Sequence, residues 1–405
     1  MRILAKFDIR NGNIVKGINY EGVEIIGDSF EIYNKICNYI SKNINKNFEV
    51  ILNDITASLY SIKSGENDIR NILNHKSFSL PHICSGGINS LQEVENKLKM
   101  GCDRVMINTA LYENIDLISE IISNYGAQIL VPSIETRFVN GEYYIFKNYG
   151  REDTGIKLVD WINTLHKKGI IELIIISIDS DGTVKGYDKP LLQYIKQKRL
   201  FGILPTNINY LYAGGIKNIK EINEIKQNYP FIKGISISKL FYNSIKNIYF
   251  LSYLEGNSIS VQKHFSLDHN CIIVDAIKNI PIDETLCISG HYNSYNQIKQ
   301  LKKQKDFVIL KERLNKKTIK YIGICSGLQI LLNEIKDENK VFGDKEQGLN
   351  ILSFTINKLD KPEIGFIDGK FYCHVYEVLD SSNNRINQYI KDNIQAFQYH
   401  PENSL

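Results

Sequence analysis

Cys325 lies in Gly323-Ile324-Cys325-Ser326-Gly327-Leu328-Gln329, between a β-branched run and a helical one, with small residues on both sides. The pattern predicts a sharp strand-to-helix turn that presents a thiol at a helix N-terminus, where the reactive thiolate is favoured. A buried structural cysteine is the plainer alternative. Near the end of the chain, Gln398-Tyr399-His400-Pro401-Glu402 supplies an imidazole with a carboxylate two residues on. Cysteine, histidine and glutamate together make an activated nucleophile: the thiolate attacks a carbonyl carbon and the imidazole carries the proton. The amino-terminal part offers different chemistry. Asp8 and Glu135 each close a β-branched run, as a general acid and a general base must if they flank a substrate, although solvated strand-end carboxylates would look the same. Gly86-Gly87 and Gly214-Gly215 each follow such a run. Glycine lets backbone N–H groups approach an oxyanion, and a pair at equivalent places suggests a ligand with two phosphates, with Asn108, Thr109 and Ser238 as further donors.

These residues repeat. Phe7-Asp8-Ile9-Arg10-Asn11-Gly12 is echoed by Ile134-Glu135-Thr136-Arg137 with Asn140-Gly141, and Asn53-Asp54-Ile55-Thr56-Ala57-Ser58 by Ile178-Asp179-Ser180-Asp181-Gly182. Ser85-Gly86-Gly87-Ile88 recurs as Ala213-Gly214-Gly215-Ile216, and Ile107-Asn108-Thr109 loosely as Ile237-Ser238-Lys239. The offsets lie between 125 and 130 residues. Short β-branched runs such as Val50-Leu52, Val105-Ile107, Ile129-Val131 and Leu173-Ile176 alternate with helical patterns such as Leu91–Leu98 and Leu158–Leu165. Strand alternating with helix, twice over, predicts an α/β fold, a (β/α)8 TIM barrel of two half-barrels over residues 1–254, with the motif residues on its C-terminal face. Residues 255–270 read as a polar linker. Residues 271–405 read as a smaller α/β domain with strands at Cys271–Val274, Tyr321–Ile324 and Ala396–Tyr399.

The 405 residues allow two or three domains, and 43% hydrophobic with 23% charged residues exclude a disordered chain. A net charge of +4, spread along the sequence, gives no footprint for nucleic acid. Seven widely spaced cysteines without a C-x-x-C pair suggest neither a metal site nor a disulfide framework, so reduced thiols are expected. Charges at positions 2, 6 and 8 break up any signal-peptide core, and no run reaches the roughly 18 apolar residues of a membrane span. A cytoplasmic protein without membrane contact is expected.

The segments Ala5-Lys6-Phe7-Asp8-Ile9-Arg10-Asn11-Gly12-Asn13-Ile14-Val15-Lys16-Gly17, Asp54–Ser58, Gly86-Gly87-Ile88, Ile107–Ala110 and Ser177–Thr183 with Gly186-Tyr187-Asp188 resemble the cyclase subunit of imidazole glycerol phosphate synthase, a lyase of histidine biosynthesis. The resemblance implies that a ribulosyl aminoimidazole carboxamide nucleotide, phosphorylated at both ends, takes up ammonia and is cyclised and cleaved between two mouth carboxylates. It places Asp8 and Glu135 in those roles, Glu135 standing where the family has aspartate, and Lys16, Asp54, Asp181 and Gly182 among the binding residues. It further implies an ammonia gate at the opposite end of the barrel, made here of Arg2, Glu49, Arg104 and Glu172. The segments around Cys325 and His400 resemble class I glutamine amidotransferase domains, shortened at both ends. That likeness implies glutamine hydrolysis by Cys325, His400 and Glu402, with Gly290, Gln329, Gly348 and Leu349 holding glutamine and Ser289-Gly290-His291 in place of the oxyanion segment. No cofactor or metal is implied. Two alternatives stand beside this reading: a paralogue that delivers ammonia to a surface-sugar amidotransferase, and a non-catalytic glutamine-binding regulatory module.

Overall fold

The computed structural model describes the chain apart from residues 45–47, 61, 63, 76–78, 255, 268, 292–293, 337–344, 368–369 and 402–405. For residues 58–60, 334–336, 345–346, 356–367 and 371–377 only the backbone is described. Two compact units divide it, Met1–Ser244 and Ile245–Leu405.

The first unit is a closed barrel. Its eight strands are β1 (Arg2–Arg10), β2 (Glu49–Asp54), β3 (His82–Ser85), β4 (Arg104–Ile107), β5 (Leu130–Val139), β6 (Glu172–Ser177), β7 (Asn209–Ala213) and β8 (Ile232–Ile237). Each pairs in parallel with its neighbours, and β8 returns to β1. Parallel strands covered on both faces need apolar side chains on both, which is why these segments read as near-continuous apolar runs instead of alternating ones. Inside the barrel Leu4, Ile51, Ile83, Met106, Val131, Ile174, Ile176 and Leu211 form one buried cluster. The repeat seen in the sequence is a repeat of structure. β1 runs on into a three-stranded flap with Asn13–Ile18 and Glu21–Asp28, and β5 does the same with Glu142–Lys147 and Glu152–Lys157. The helix after each Gly-Gly turn starts on an equivalent cap: the Ser90 hydroxyl accepts from the Glu93 N–H, and the Asn218 side chain from that of Glu221. Such caps satisfy the exposed N–H groups of a first helical turn and fix where the glycine turn must end.

The N-terminal ends of the strands are closed by charge. Arg2 pairs with Glu49 at 2.7 Å and with Glu172, while Arg104 pairs with Glu172 at 2.7 Å and with Glu49 at 3.7 Å. The four residues predicted to stand together thus form a complete ring of alternating sign.

Contrary to the expectation of reduced thiols, Cys84 and Cys102 are joined in a disulfide, their Cα atoms 6.0 Å apart. They are 18 residues apart in sequence, and only the pairing of β3 with β4 brings them together, so spacing alone could not show it.

The second unit is a six-stranded sheet of β9 (Asn247–Leu251), β10 (Asn270–Val274), β11 (Thr285–Ile288), β12 (Lys320–Ile324), β13 (Gln388–Lys391) and β14 (Ile394–Phe397), in the order β10-β9-β11-β12-β14-β13. All neighbours are parallel except the edge pair β13–β14. Its largest core includes Leu286, Ile298, Leu310, Tyr321, Leu328 and Leu331.

Here the structure differs from the expected boundaries. Asn247–Leu251 pairs with β10 and β11 and so belongs to the second sheet, and a helix, Ser258–Phe265, occupies the segment read as a linker. The first strand and helix read as missing are therefore present. The polar stretch Gly256-Asn257-Ser258 masked them, since it is the entry to that helix and not a spacer. β14 also starts two residues earlier than expected and ends before His400.

Among the described residues no helix is long and apolar enough to cross a membrane, and no group of three or more His, Cys, Asp or Glu could hold a metal ion.

The charge ring yields a stability prediction. The Glu172 side chain is 5% exposed and serves two guanidinium groups. Breaking a buried pair on one side costs about 3–5 kcal/mol, and the partial exposure of Arg2 reduces this. Glu172→Gln should lower the unfolding free energy by about 2 kcal/mol in urea titrations, with an unchanged m-value.

Candidate active site

At the C-terminal end of β1, Asp8 is almost completely buried. Its carboxylate accepts from the Asn53 amide at 2.7 Å and lies 3.2 Å from Lys6 Nζ and 3.5 Å from Lys16 Nζ. Lys16, on the first flap, reaches on to Asp181 at 2.6 Å. Burial by itself would raise the Asp8 carboxyl, but Lys6 and Lys16, with the Asn53 amide, outweigh it and hold it below the usual carboxylate range. Burial would likewise discharge Lys16, and Asp181 and Asp8 reverse that, so its ammonium persists.

Glu135 occupies the corresponding end of β5, as the repeat requires. Its environment has the opposite effect. Burial pushes its carboxyl up to about 7, against the pull of Lys6 and of hydrogen bonds from the Gly150 N–H and the Asn108 side chain. Glu135 Oε2, Asn108 Oδ1 and Ser236 Oγ are buried without a hydrogen-bond partner. The mouth therefore pairs an ionised carboxylate with one that is half protonated near neutrality, the division of labour that acid–base chemistry at a single pH needs.

Beside this pair opens a cavity of about 370 Å³, lined by Lys6, Gly86, Gly87, Asn108, Thr109 and Glu135 among others. Gly86, at φ 97°, must be glycine, because a Cβ there would stand 2.1 Å from the Asp54 carbonyl oxygen. In the second half Gly214, Gly215 and Ser238 line a separate cavity of about 20 Å³ together with Asp181 and Gly182. The two glycine pairs thus stand at equivalent places, each beside a cavity.

Asp54 lines the larger cavity and also anchors the loop after β2. One of its oxygens accepts from the Thr56 N–H and hydroxyl and the other from the Gly65 N–H. Sequence reasoning had no role for Asn53 or for Lys6 beyond its motif, and passed over Tyr20, Asn148 and Tyr149 at the mouth. The dipeptide Asn-Tyr, at 19–20 and again at 148–149, falls within the repeat spacing and was the available signal.

In the second unit Cys325 has φ 52° and ψ −108°, left-handed backbone that a cysteine adopts only when its surroundings hold it there. The strand-turn-helix placement is as expected, and the Cys325 N–H donates to the Phe397 carbonyl at 2.6 Å. The helix after it is a single turn, Ser326–Gln329, too short for the macrodipole expected to favour the thiolate.

Gly290 marks where the parts meet. A Cβ on it would stand 2.7 Å from His400 Cε1 and 3.2 Å from Cys325 Cβ, so thiol, imidazole and the Ser289-Gly290-His291 segment converge on one point. That segment is pinned: the His291 N–H donates to Ser326 Oγ at 2.8 Å, Ser326 Oγ donates to Gln297 Oε1 at 2.8 Å, and Gln297 Nε2 donates to the Ser289 carbonyl at 3.1 Å. The Gly290 carbonyl accepts from the Asn257 N–H at 2.8 Å.

Gln329 is buried with its Oε1 unpartnered, whereas Gly348 and Leu349 are tied by their N–H groups to the Asn333 and Ile330 carbonyls. Glu402 lies outside the described residues.

A closed parallel barrel with paired carboxylates and twin glycine cradles at its mouth is an α/β enzyme architecture. The family described as histidine biosynthesis protein matches residues 2–246. The HisF subunit of imidazole glycerol phosphate synthase from Legionella pneumophila is 34% identical over 226 residues, which is 55% of this chain and 99% of that protein. Those of Helicobacter hepaticus and Sulfolobus acidocaldarius are 29% and 32% identical, over 64% and 54% of this chain and 98% and 82% of theirs. The chain belongs to the histidine biosynthesis protein family, through its barrel.

The convergence at Gly290 makes a local prediction. Gly290→Ala should leave the fold intact by circular dichroism yet slow alkylation of Cys325 by iodoacetamide by at least about tenfold, because the new methyl group would crowd Cys325 Cβ and the His400 ring that meet it.

Proposed function

We propose that the barrel is a cyclase-type enzyme whose substrate is an open-chain ribulosyl aminoimidazole carboxamide nucleotide phosphorylated at both ends, and that the nitrogen it takes up is released from glutamine at Cys325. One observation carries the reading: in a barrel of the histidine biosynthesis family, Asp8 and Glu135 face the mouth with opposite proton affinities, between two glycine cradles. Asp8 acts as the base, since the two lysines keep it ionised. Glu135 acts as the acid, since burial keeps its proton available near pH 7. Gly86-Gly87 with Asn108 and Thr109 take one phosphate, and Gly214-Gly215 with Ser238 the other.

In the second unit the Cys325 thiolate attacks the side-chain amide carbon of glutamine. His400 gives its proton to the departing ammonia, and water then hydrolyses the thioester to glutamate, with Glu402 orienting the imidazole. Gln329 and the Gly348-Leu349 backbone flank the glutamine. Ammonia enters the barrel past Arg2, Glu49, Arg104 and Glu172.

The assay is turnover of the doubly phosphorylated nucleotide with glutamine or with ammonia, in wild type and in Cys325→Ala. Both nitrogen sources should serve the wild type and ammonia alone the variant. A second reading, in which the acceptor is a sugar handled by another amidotransferase, draws on Glu135 standing where the cyclases have aspartate. Glutamate release from glutamine without turnover of the nucleotide would favour it. Absence of glutamate under every condition would leave the second unit a glutamine-binding regulatory module.

The proton affinity of Glu135 gives a pH prediction. At constant free ammonia, kcat/KM should fall as pH rises through about 7. Glu135→Gln should remove that limb along with most of the rate. Stability moves with it: the folded state binds this proton more tightly than the unfolded chain, so stability declines as pH rises from about 4.5 to about 7. The decline should be smaller in Glu135→Gln, measured by urea denaturation at pH 5 and 7.5.

A further inference from the structure

The two flaps turn over the barrel mouth through the same dipeptide. Asn19-Tyr20 joins Asn13–Ile18 to Glu21–Asp28, and Asn148-Tyr149 lies between Glu142–Lys147 and Glu152–Lys157. All four residues have positive φ, 52° and 66° in the first turn and 52° and 61° in the second. Asparagine tolerates this backbone, whereas tyrosine is rarely found in it. Unfavourable backbone kept at the same place in both halves points to the side chains that it aims.

Those side chains meet. The rings of Tyr20 and Tyr149 stack with centroids 4.5 Å apart and planes 26° apart. Tyr20 is 6% exposed and belongs to the cluster that fills the barrel. Its neighbour across the mouth, Gly150, has no side chain where a Cβ would lie 2.7 Å from the Tyr20 ring. The Tyr20 hydroxyl is buried without a hydrogen-bond partner, and Glu135, Asp181 and Asp8 are the carboxylates that act on it.

Each turn is also fastened at the mouth. The Asn19 N–H donates to the Asp181 carbonyl at 2.9 Å, and the Asn148 N–H to Thr109 Oγ1 at 3.2 Å. Asn148 and Tyr149 line the larger cavity, Asp181 and Gly182 the smaller, and the two cavities share no lining residue.

We propose that Tyr20 and Tyr149 form a clasp, one ring from each half-barrel, that separates the two cradles at rest and parts when a doubly phosphorylated ligand spans them. The pair closes the path between the cradles and takes no part in proton transfer. This rests on the reading of the mouth as a site for such a ligand. The rings are held to each other by face contact, so removing one loosens the turn that carries the other.

Hydrogen exchange on the full chain tests that coupling without substrate. In Tyr149→Ala, amides of residues 19–22 should exchange about three- to tenfold faster, the factor that corresponds to one lost aromatic pair. In Tyr149→Phe they should stay within about twofold of wild type. With ammonia as nitrogen source, Tyr149→Ala, which leaves no stack to part, should lower KM for the doubly phosphorylated nucleotide about three- to tenfold while kcat changes less, and Tyr149→Phe should keep it near the wild-type value. If Tyr149→Ala does not fold, Tyr149→Leu serves with the same readouts. Unchanged exchange at 19–22 in a folded variant overturns the clasp, as does an unchanged KM. If the wild type turns over no such nucleotide, the proposed reaction fails and the nucleotide's effect on exchange at 19–22 decides for the clasp: faster exchange with it bound supports the clasp, and no change overturns it.

Discussion

A single buried ammonium joins the two halves of the barrel. Lys16 comes from the first half and lies between Asp8 of that half and Asp181 of the second, with almost none of its surface in water. A cation there survives because Asp181 and Asp8 repay its lost hydration. Remove the carboxylates and the buried ammonium loses what offsets its desolvation. The flap that carries Lys16, the loop that carries Asp181 and the strand that ends in Asp8 are therefore held in mutual register by charge, where packing alone would allow them to slide.

The same economy explains why two like residues at equivalent positions behave differently. Asp8 and Glu135 both end the first strand of a half-barrel and both are buried. Asp8 has two lysines within 3.5 Å. Glu135 has hydrogen bonds but a weaker share of positive charge, so desolvation prevails. The two half-barrels repeat one arrangement, and the placement of Lys6 and Lys16 beside Asp8 leaves the two carboxyls with different proton affinities.

Much of this was legible in the residues. The internal repeat, with apolar runs between helical patterns, is sufficient for the barrel because parallel strands buried on both faces leave a simple signature. The paired glycines, which lie just after strands, were readable for the same reason, and so was the turn at Cys325. What the sequence hid depends on pairing across space. Cys84 and Cys102 meet only because β3 lies beside β4. The hydrogen bonds that tie Asp54 to Thr56 and Gly65 depend on the loop that folds over it. Residues 247–251 are equally apolar at the end of one domain or the start of the next, and only their partners, Cys271 and Thr285 among them, assign them to the second sheet.

The disulfide makes the two half-barrels unequal in a way their backbones conceal. Cys84 immediately precedes Ser85 and the first glycine pair, and its bond to Cys102 staples that cradle to the approach to β4. At the matching repeat offset, 128 residues on, stand Tyr212 and Pro230, which cannot form such a bond. One end of the mouth is therefore covalently braced beside a cavity of about 370 Å³, whereas the other, beside one of about 20 Å³, has no such bond among the described residues.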